Sequence, residues 1–487
     1  MLQKLLIWIE KIAWAVFWLA LPITSFRYFP AGLGGGTLVR PLSLYPLLIL
    51  LIIGVIPLLI RRPIPKTVMT LFPFILALLA SAAASTFLDI EPILGISVSD
   101  RILRALITLA IGIAYYFAVV LLCYDRSRFY SALRWMMSGF LIAFLWGSLQ
   151  VVYILHFNPV YYAKLNRIQL LFSIRKLFTT RISGMTYEPN WFGEQISVLL
   201  LPWLVAAVFS GQSFFPWRWK KVTIEWFLLG WALLMVGFTF SRAAYINVIA
   251  IGFLAILIFR KPASHSGVQR SGWVIVRKIG EVLVVLVVFA VGGYTVGKHN
   301  AFFSRIWSYW LEKKDTSIAD YFQYLGFGAR LVYVSTAVNT FEAYPIFGVG
   351  PGNYAFFFEK MMPDQPLAVT PELLRIISPE ENRNRLITPK NLYLRILAEG
   401  GLVGMASFLT FIAAVLGWGL YLWLSKDPQE HFLGGAAILG LVVLALAAFS
   451  FDSFALPNMW VLTGLIAAAG WQSYQKGRSA GVVSENR

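Results

Sequence analysis

The sequence predicts an all-α integral membrane protein of about 12 transmembrane helices with one large helical extracytoplasmic loop. Three observations carry that prediction. Of the 487 residues, 59% are hydrophobic and 13% charged, and the mean hydropathy is +0.71; soluble domains run nearer about 45–50% apolar and about 25% charged. Apolar runs long enough to cross a hydrocarbon layer recur along the whole chain. Lysines and arginines collect in alternate connections between those runs, as expected of cytoplasmic loops.

Runs of spanning length fall at 12–28, 43–60, 67–87, 105–124, 133–155, 191–210, 225–241, 243–259, 279–297, 391–424, 432–449 and 457–474. The first has no small-residue cleavage site behind it and reads as an uncleaved helix. The run ending at Leu424 is long enough to tilt or protrude. With the N-terminus inside, inner loops hold Arg126, Arg128 and Arg134, then Arg218, Lys220 and Lys221, then the bases of 260–278. Both termini are thereby expected in the cytoplasm.

Four blocks result. Residues 1–190 carry the first five helices and a basic outer loop at 156–190; residues 191–297 carry helices six to nine. Residues 298–388 form the large extracytoplasmic loop, and residues 389–487 the last three helices with a cytoplasmic tail. Within the large loop, Thr370-Pro371-Glu372 reads as a helix start. Phe347 to Gly352 reads as a tight turn between helices near 328–343 and 353–361.

Composition also excludes several functions. The net charge of +18 sits in loops beside membrane spans and indicates no nucleic-acid partner; membrane lipids are the expected surroundings. Cys123 is the single cysteine and the four histidines are scattered, so no metal site is expected. The glycine run at 348–352 lacks the Gly-Lys-Ser/Thr of a phosphate loop, and no cofactor is expected.

The candidate chemistry lies on the outer side. Residues 156–190 hold Lys164, Arg167, Arg175, Lys176 and Arg181 against Glu188, where the topology rule expects few bases. Arg242 sits between two spans with almost no loop, and Arg330 lies in the large loop. Taken singly, each arginine has a bland reading as a snorkelling or capping side chain. Together they present planar forks suited to phosphate, and a lipid diphosphate is the anion to expect there. Thr388-Pro389-Lys390-Asn391 is expected to open the tenth helix, with Thr388 as cap, so that Lys390 joins a helix N-terminus as an anion site; an interfacial anchor is the alternative. Arg395 and Glu399, four apart, are expected to pair. Glu188-Pro189-Asn190, followed by Glu194 and Gln195, sets polar groups at the mouth of the sixth span.

These residues carry a resemblance. Arg181-Ile-Ser-Gly leads to Glu188-Pro-Asn190, and Thr239-Phe-Ser-Arg242 follows. Then come Arg330, Tyr344-Pro-Ile-Phe-Gly-Val-Gly350 and Asn353. Last are Asn391-Leu-Tyr393-Leu and Ala398-Glu399-Gly-Gly-Leu-Val-Gly404. In this order around one large outer loop, they resemble the O-antigen ligase and O-antigen polymerase family of bacterial envelope proteins, mainly over 181–404. The resemblance implies a metal-independent glycosyltransferase of the cytoplasmic (inner) membrane. It would take a glycan from undecaprenyl diphosphate and pass it to a lipid A core or another glycan. By the resemblance Arg242 and Arg330 would hold the diphosphate, and Arg181 joins them through its place among the outer-side arginines; Asn190, Asn391, Tyr393 and Glu399 are expected to bind substrate or support the site. Many ligases of the family have histidine where this sequence has Lys390. A lysine is ordinarily protonated at neutral pH, so Lys390 is assigned first as a cation for the leaving diphosphate, and Glu188 is the better candidate base. The competing expectation is a small-anion transporter, described for one branch of the family as an inorganic-carbon carrier. It would require paired broken helices and a midplane site; the sequence shows neither.

Overall fold

The computed structural model describes residues 1–29, 38–61, 64–93, 95–220, 222–259, 304–312, 317–363 and 387–485, together with Gly280, Lys298 and Leu373. The ninth expected span, the inner loop at 260–278 and the helix start at Thr370 lie outside these residues, apart from Gly280.

The described chain is mostly helical, with almost no strand. Helix α1 is Leu2–Leu19. Helix α2, Leu44–Leu50, passes through a π-helical turn at Leu51–Val55 into α3, Ile56–Arg61. Then come α4 (Lys66–Met69), α5 (Phe72–Ser85), α6 (Val98–Leu122), α7 (Arg126–Leu155) and α8 (Pro159–Phe172). Helix α9, Pro189–Gln195, continues through a second π-helical turn, Ile196–Leu200, into α10, Leu201–Ser210. A two-residue hairpin, β1 Arg218–Trp219 with antiparallel β2 Val222–Thr223, precedes α11 (Ile224–Thr239) and α12 (Arg242–Ile258). Beyond these lie α13 (Arg305–Glu312), α14 (Ile318–Tyr324), α15 (Gly328–Ala343), α16 (Tyr354–Met361), α17 (Leu392–Trp423), α18 (Pro428–Ala447) and α19 (Pro457–Glu485).

Among the described residues, six helices are long and apolar enough to cross a membrane: Lys66–Ser85, Val98–Leu122, Arg126–Leu155, Pro189–Ser210, Leu392–Trp423 and Pro428–Ala447. Leu44–Ile60, Ile224–Thr239 and Arg242–Ile258 are apolar but shorter. The stretch α9–α10 is central: Phe192, Ile196, Val198, Leu199 and Trp203 are buried, whereas α1 and α5 leave Trp8, Ile12 and Leu76 exposed, as lipid-facing helices do. Helix α17 packs on α18, α5 and α15, and α19 packs on α6.

Three elements differ from expectation. The first helix ends at Leu19 rather than near 28, because Pro22 has no N–H to continue the ladder and the chain turns at Ala20. The basic 156–190 segment contains a helix of its own, α8, started by the Asn158 side chain accepting from the N–H groups of Val160 and Tyr161. The long tenth span is interrupted: Gly401 stands at φ 62°, ψ −162° inside α17, a region essentially restricted to glycine.

That interruption organises one end of the bundle. The chain after α15 runs alongside the break. Val349 and Gly350 donate N–H bonds to the carbonyls of Ala398 and Glu399, both at 3.0 Å. In return, Leu402 and Val403 donate to Pro345 and Ile346 at 2.8 and 3.2 Å. Backbone groups released from the helix ladder thus find partners in the glycine-rich loop, as burial demands. Gly348 is required by the close approach, since a Cβ there would sit 2.6 Å from the Ala398 oxygen. The expected turn exists between α15 and α16, but its main work is to dock on α17.

Candidate functional site at one end of the bundle

The segment before α9 is held by Gln150, buried on α7. Its Oε1 accepts from Ser183 and Gly184 at 3.0 and 3.1 Å, and its Nε2 donates to the Gly184 carbonyl at 2.9 Å. Ile182 donates to the Phe238 carbonyl at 3.1 Å, which draws the segment to the end of α11. Arg181 is buried there; its Nε donates to the Thr239 carbonyl at 2.8 Å and its Nη2 to Asn190 Oδ1 at 2.6 Å. Burial pulls the Arg181 guanidinium down to about 10, with Glu188 acting the other way, so it stays charged at neutral pH. Two of its donors are spent on tying this segment to α9 and α11. Glu188, at the N-terminal boundary of α9, lies 3.2 Å from Arg175 Nη1. The Arg175 guanidinium is itself set over the Phe178 and Tyr187 rings at 4.5 and 4.6 Å.

The turn between α11 and α12 is made by Phe240 at φ 47° and by Ser241, whose hydroxyl accepts the Ala244 N–H at 3.4 Å. Arg242 is therefore the first helical residue of α12, as its sequence position suggests. Its Nη1 donates to the Leu325 carbonyl at 3.3 Å, and its guanidinium lies 5.3 Å from the Phe327 ring centre. Arg330, exposed on the first turn of α15, lies 6.0 Å from the same ring. Arg305 and Tyr321 are also close enough to act on the Arg242 charge. Like charges gathered in this way repel unless an anion lies among them.

One turn further along α15, the Tyr333 ring lies 4.8 Å below Lys390 Nζ, a cation–π contact. Lys390 itself is left-handed, at φ 52°, and its N–H donates to Asp452 Oδ2 at 2.8 Å. The expected Thr388 cap is therefore corrected. A left-handed Lys390 breaks the path into the helix, and Asn391, in extended conformation, caps α17 by accepting the Leu394 N–H at 3.2 Å. Lys390 precedes the cap instead of lying in the first turn. Tyr393 turns to α18, where its hydroxyl donates to the Ala445 carbonyl at 2.9 Å. Asn391 and Tyr393 thus both hold the start of α17.

Glu399 is 3% exposed and pairs with Arg395 at 3.0 Å, the expected one-turn ion pair. Arg395 Nη1 also donates to the Asp452 carbonyl at 2.6 Å. Arg101, near the start of α6, joins this group electrostatically and donates to the Gly352 carbonyl at 2.8 Å. The Glu399 carbonyl receives Gly350 N–H and the Ser81 hydroxyl, whereas its Oε1 has no hydrogen-bond partner among the described residues. A cavity of about 10 Å³ beside it, between Leu78, Leu109, Pro351 and Phe454, has room for about one water. Arg101, Tyr333 and Asp452 were missed in the sequence because no local pattern marks them. Glu194 and Gln195, expected at the mouth of the sixth span, are instead buried within it, with Glu194 3.5 Å from Asn458.

The structure therefore gathers Arg181 with Asn190, Arg175 with Glu188, Arg242 with Arg330, and Lys390 with Tyr333. Glu399 stands apart, inside the α17 end. No group of three or more histidine, cysteine, aspartate or glutamate side chains suited to a metal occurs among the described residues. Such an array can hold a multiply charged anion and, at Glu188, offers a carboxylate for proton transfer.

Fold and site together define a multi-pass helical membrane protein with a cation-rich polar end. Residues 227–409 match the family described as O-antigen ligase. Over this stretch, rather more than a third of the chain, the sequence is similar to that family, which supports an activity of the O-antigen ligase or polymerase type in general. Arg242, Arg330, Lys390, Asn391, Tyr393 and Glu399 lie inside the matched region, while Arg181, Glu188 and Asn190 precede it. No curated protein matches the chain.

Proposed function

We propose that the protein moves a glycan from undecaprenyl diphosphate to a lipid A core or glycan acceptor at the outer face of the cytoplasmic membrane, both termini being cytoplasmic. The observation that carries the reading is the pairing of Arg242 and Arg330 about Phe327, inside the matched region, with Lys390 set over the Tyr333 ring one turn along α15 from Arg330. Two guanidinium forks and an ammonium suit the leaving diphosphate, whose charge grows as the glycosidic bond breaks. Arg181 belongs to this cation group and also fixes Asn190.

In the proposed step, an acceptor hydroxyl oxygen forms the new bond to the anomeric carbon. The bond from that carbon to the diphosphate oxygen breaks, and its electron pair leaves with the diphosphate. Glu188 takes the hydroxyl proton, and Arg175 holds its carboxylate in place. Lys390 acts as a cation toward the leaving group. The reaction needs no metal in this scheme, because the cations supply the charge. Asn391 and Tyr393 support the site by fixing the start of α17, and Glu399 supports it by holding Arg395, which in turn donates to the Asp452 carbonyl.

Deleting the protein and analysing lipid-linked glycans tests the reading. Accumulated polyprenyl-diphosphate glycan is expected. An unchanged glycan profile with impaired uptake of a small anion would overturn it in favour of transport. The broken helix gives that alternative no support, since the docked loop takes up the backbone groups released at Gly401.

A further inference from the structure

Helices α13 and α14 bring four aromatic rings together beside Arg242. Tyr309 lies 5.6 Å from Trp310, 5.4 Å from Tyr321 and 5.0 Å from Tyr324 between ring centres, and Trp310 lies 4.9 Å from Tyr321. Tyr309 is buried at the base, while Trp310 is 50% and Tyr324 39% exposed. The rim is polar: the Tyr324 hydroxyl is 3.3 Å from Ser308 Oγ. The cluster is continuous with the cations, since Tyr324 directly precedes Leu325, whose carbonyl receives Arg242 Nη1.

We propose that Trp310 and Tyr324 form a subsite for the glycan of the lipid-linked donor, stacking sugar rings beyond the one attached to the diphosphate. The proposal rests on the glycosyl-transfer reading above and adds where the sugars lie. A pyranose presents a face of C–H groups edged by hydroxyls. An aromatic ring with a polar handle matches both features, and it loses little conformational freedom on binding. Sugar and diphosphate are covalently joined in such a donor, so their sites must be contiguous, and the link through Leu325 supplies that continuity. The competing occupant is lipid, because Leu311 and Ile318 nearby are also exposed. Three of the four rings carry hydroxyls, which favours the sugar.

The test uses the full chain reconstituted in phospholipid vesicles, with one donor bearing a single sugar on the diphosphate and another bearing an oligosaccharide. For Trp310→Ala and Tyr324→Ala, the ratio of oligosaccharide to single-sugar KM is expected to rise about tenfold. Trp310→Phe should restore it and Trp310→Leu should not. An unchanged ratio would overturn the subsite, and restoration by leucine would assign the rings to lipid. If the wild-type protein transfers neither donor, glycosyl transfer itself fails. The subsite is then judged by binding of the free oligosaccharide: binding lost in Trp310→Ala supports it, and absence of binding by the wild type refutes it.

Discussion

Replacing Gly401 with alanine should unseat the polar end of the bundle without removing any polar side chain. At φ 62°, ψ −162°, a residue with a Cβ carries a strain of about 1–3 kcal/mol. The added carbon would also overlap the Ile346 carbonyl, so the docked loop must retreat. Retreat loses the bonds from Leu402 to Pro345 and from Val403 to Ile346, each worth about 0.5–1.5 kcal/mol net. Together these come to roughly 2–6 kcal/mol. Gly417, on the same helix with open space around its Cβ position, is the matched control, and alanine there should be neutral or stabilising by up to about 1 kcal/mol. Thermal unfolding of both variants in detergent, with glycan transfer measured in vesicles, reads the difference. A Gly401→Ala protein that melts at or above the wild-type temperature would refute the reasoning.

Lysine at Arg242 or Arg330 keeps charge but removes the fork. Transfer should fall about ten- to a hundredfold at normal protein abundance, and wild-type rates in both variants would remove the diphosphate role. Glu188→Gln should abolish transfer while donor binding survives, and Lys390→Arg should keep partial activity; the reverse pattern would make Lys390 the base. Glu399→Leu strands the Arg395 charge and should cost about 3–5 kcal/mol, much of it recovered in the double variant with Arg395→Met, as paired melting curves would show. A membrane-impermeant amine reagent applied from outside should label Lys313 and spare Lys261, and the opposite labelling would sink both the topology and the outer-face site.

Helices were legible where a single apolar run decides them, as in α6, α7 and α18. The limits of the sequence appear where a distant segment decides. The doublet Gly400-Gly401 is visible, but the break it makes depends on acceptors and donors about fifty residues earlier. Pro22, visible in the sequence, ends α1 early, and the extended Asn391 displaces Thr388 as the cap once Lys390 turns left-handed. Arg242 and Arg330 could be nominated from their positions, because an arginine at a membrane edge needs explanation. Their common ring, Phe327, could not. Asp452 escaped because its role lies in two contacts made across the fold, to the Lys390 N–H and to Arg395.

The spacing of Arg330 and Tyr333 on α15 has a geometric consequence. Three residues apart on one helix, they share a face, so the guanidinium beside Phe327 and the ring beneath Lys390 are held in fixed phase. Inserting one residue between them would rotate Tyr333 by roughly 100° relative to Arg330. Every side chain of the candidate site would still be present, yet the ring would turn from beneath the ammonium. In this part of the protein, helical register matters as much as residue identity, and insertions should be tolerated far less well here than in the neighbouring connections.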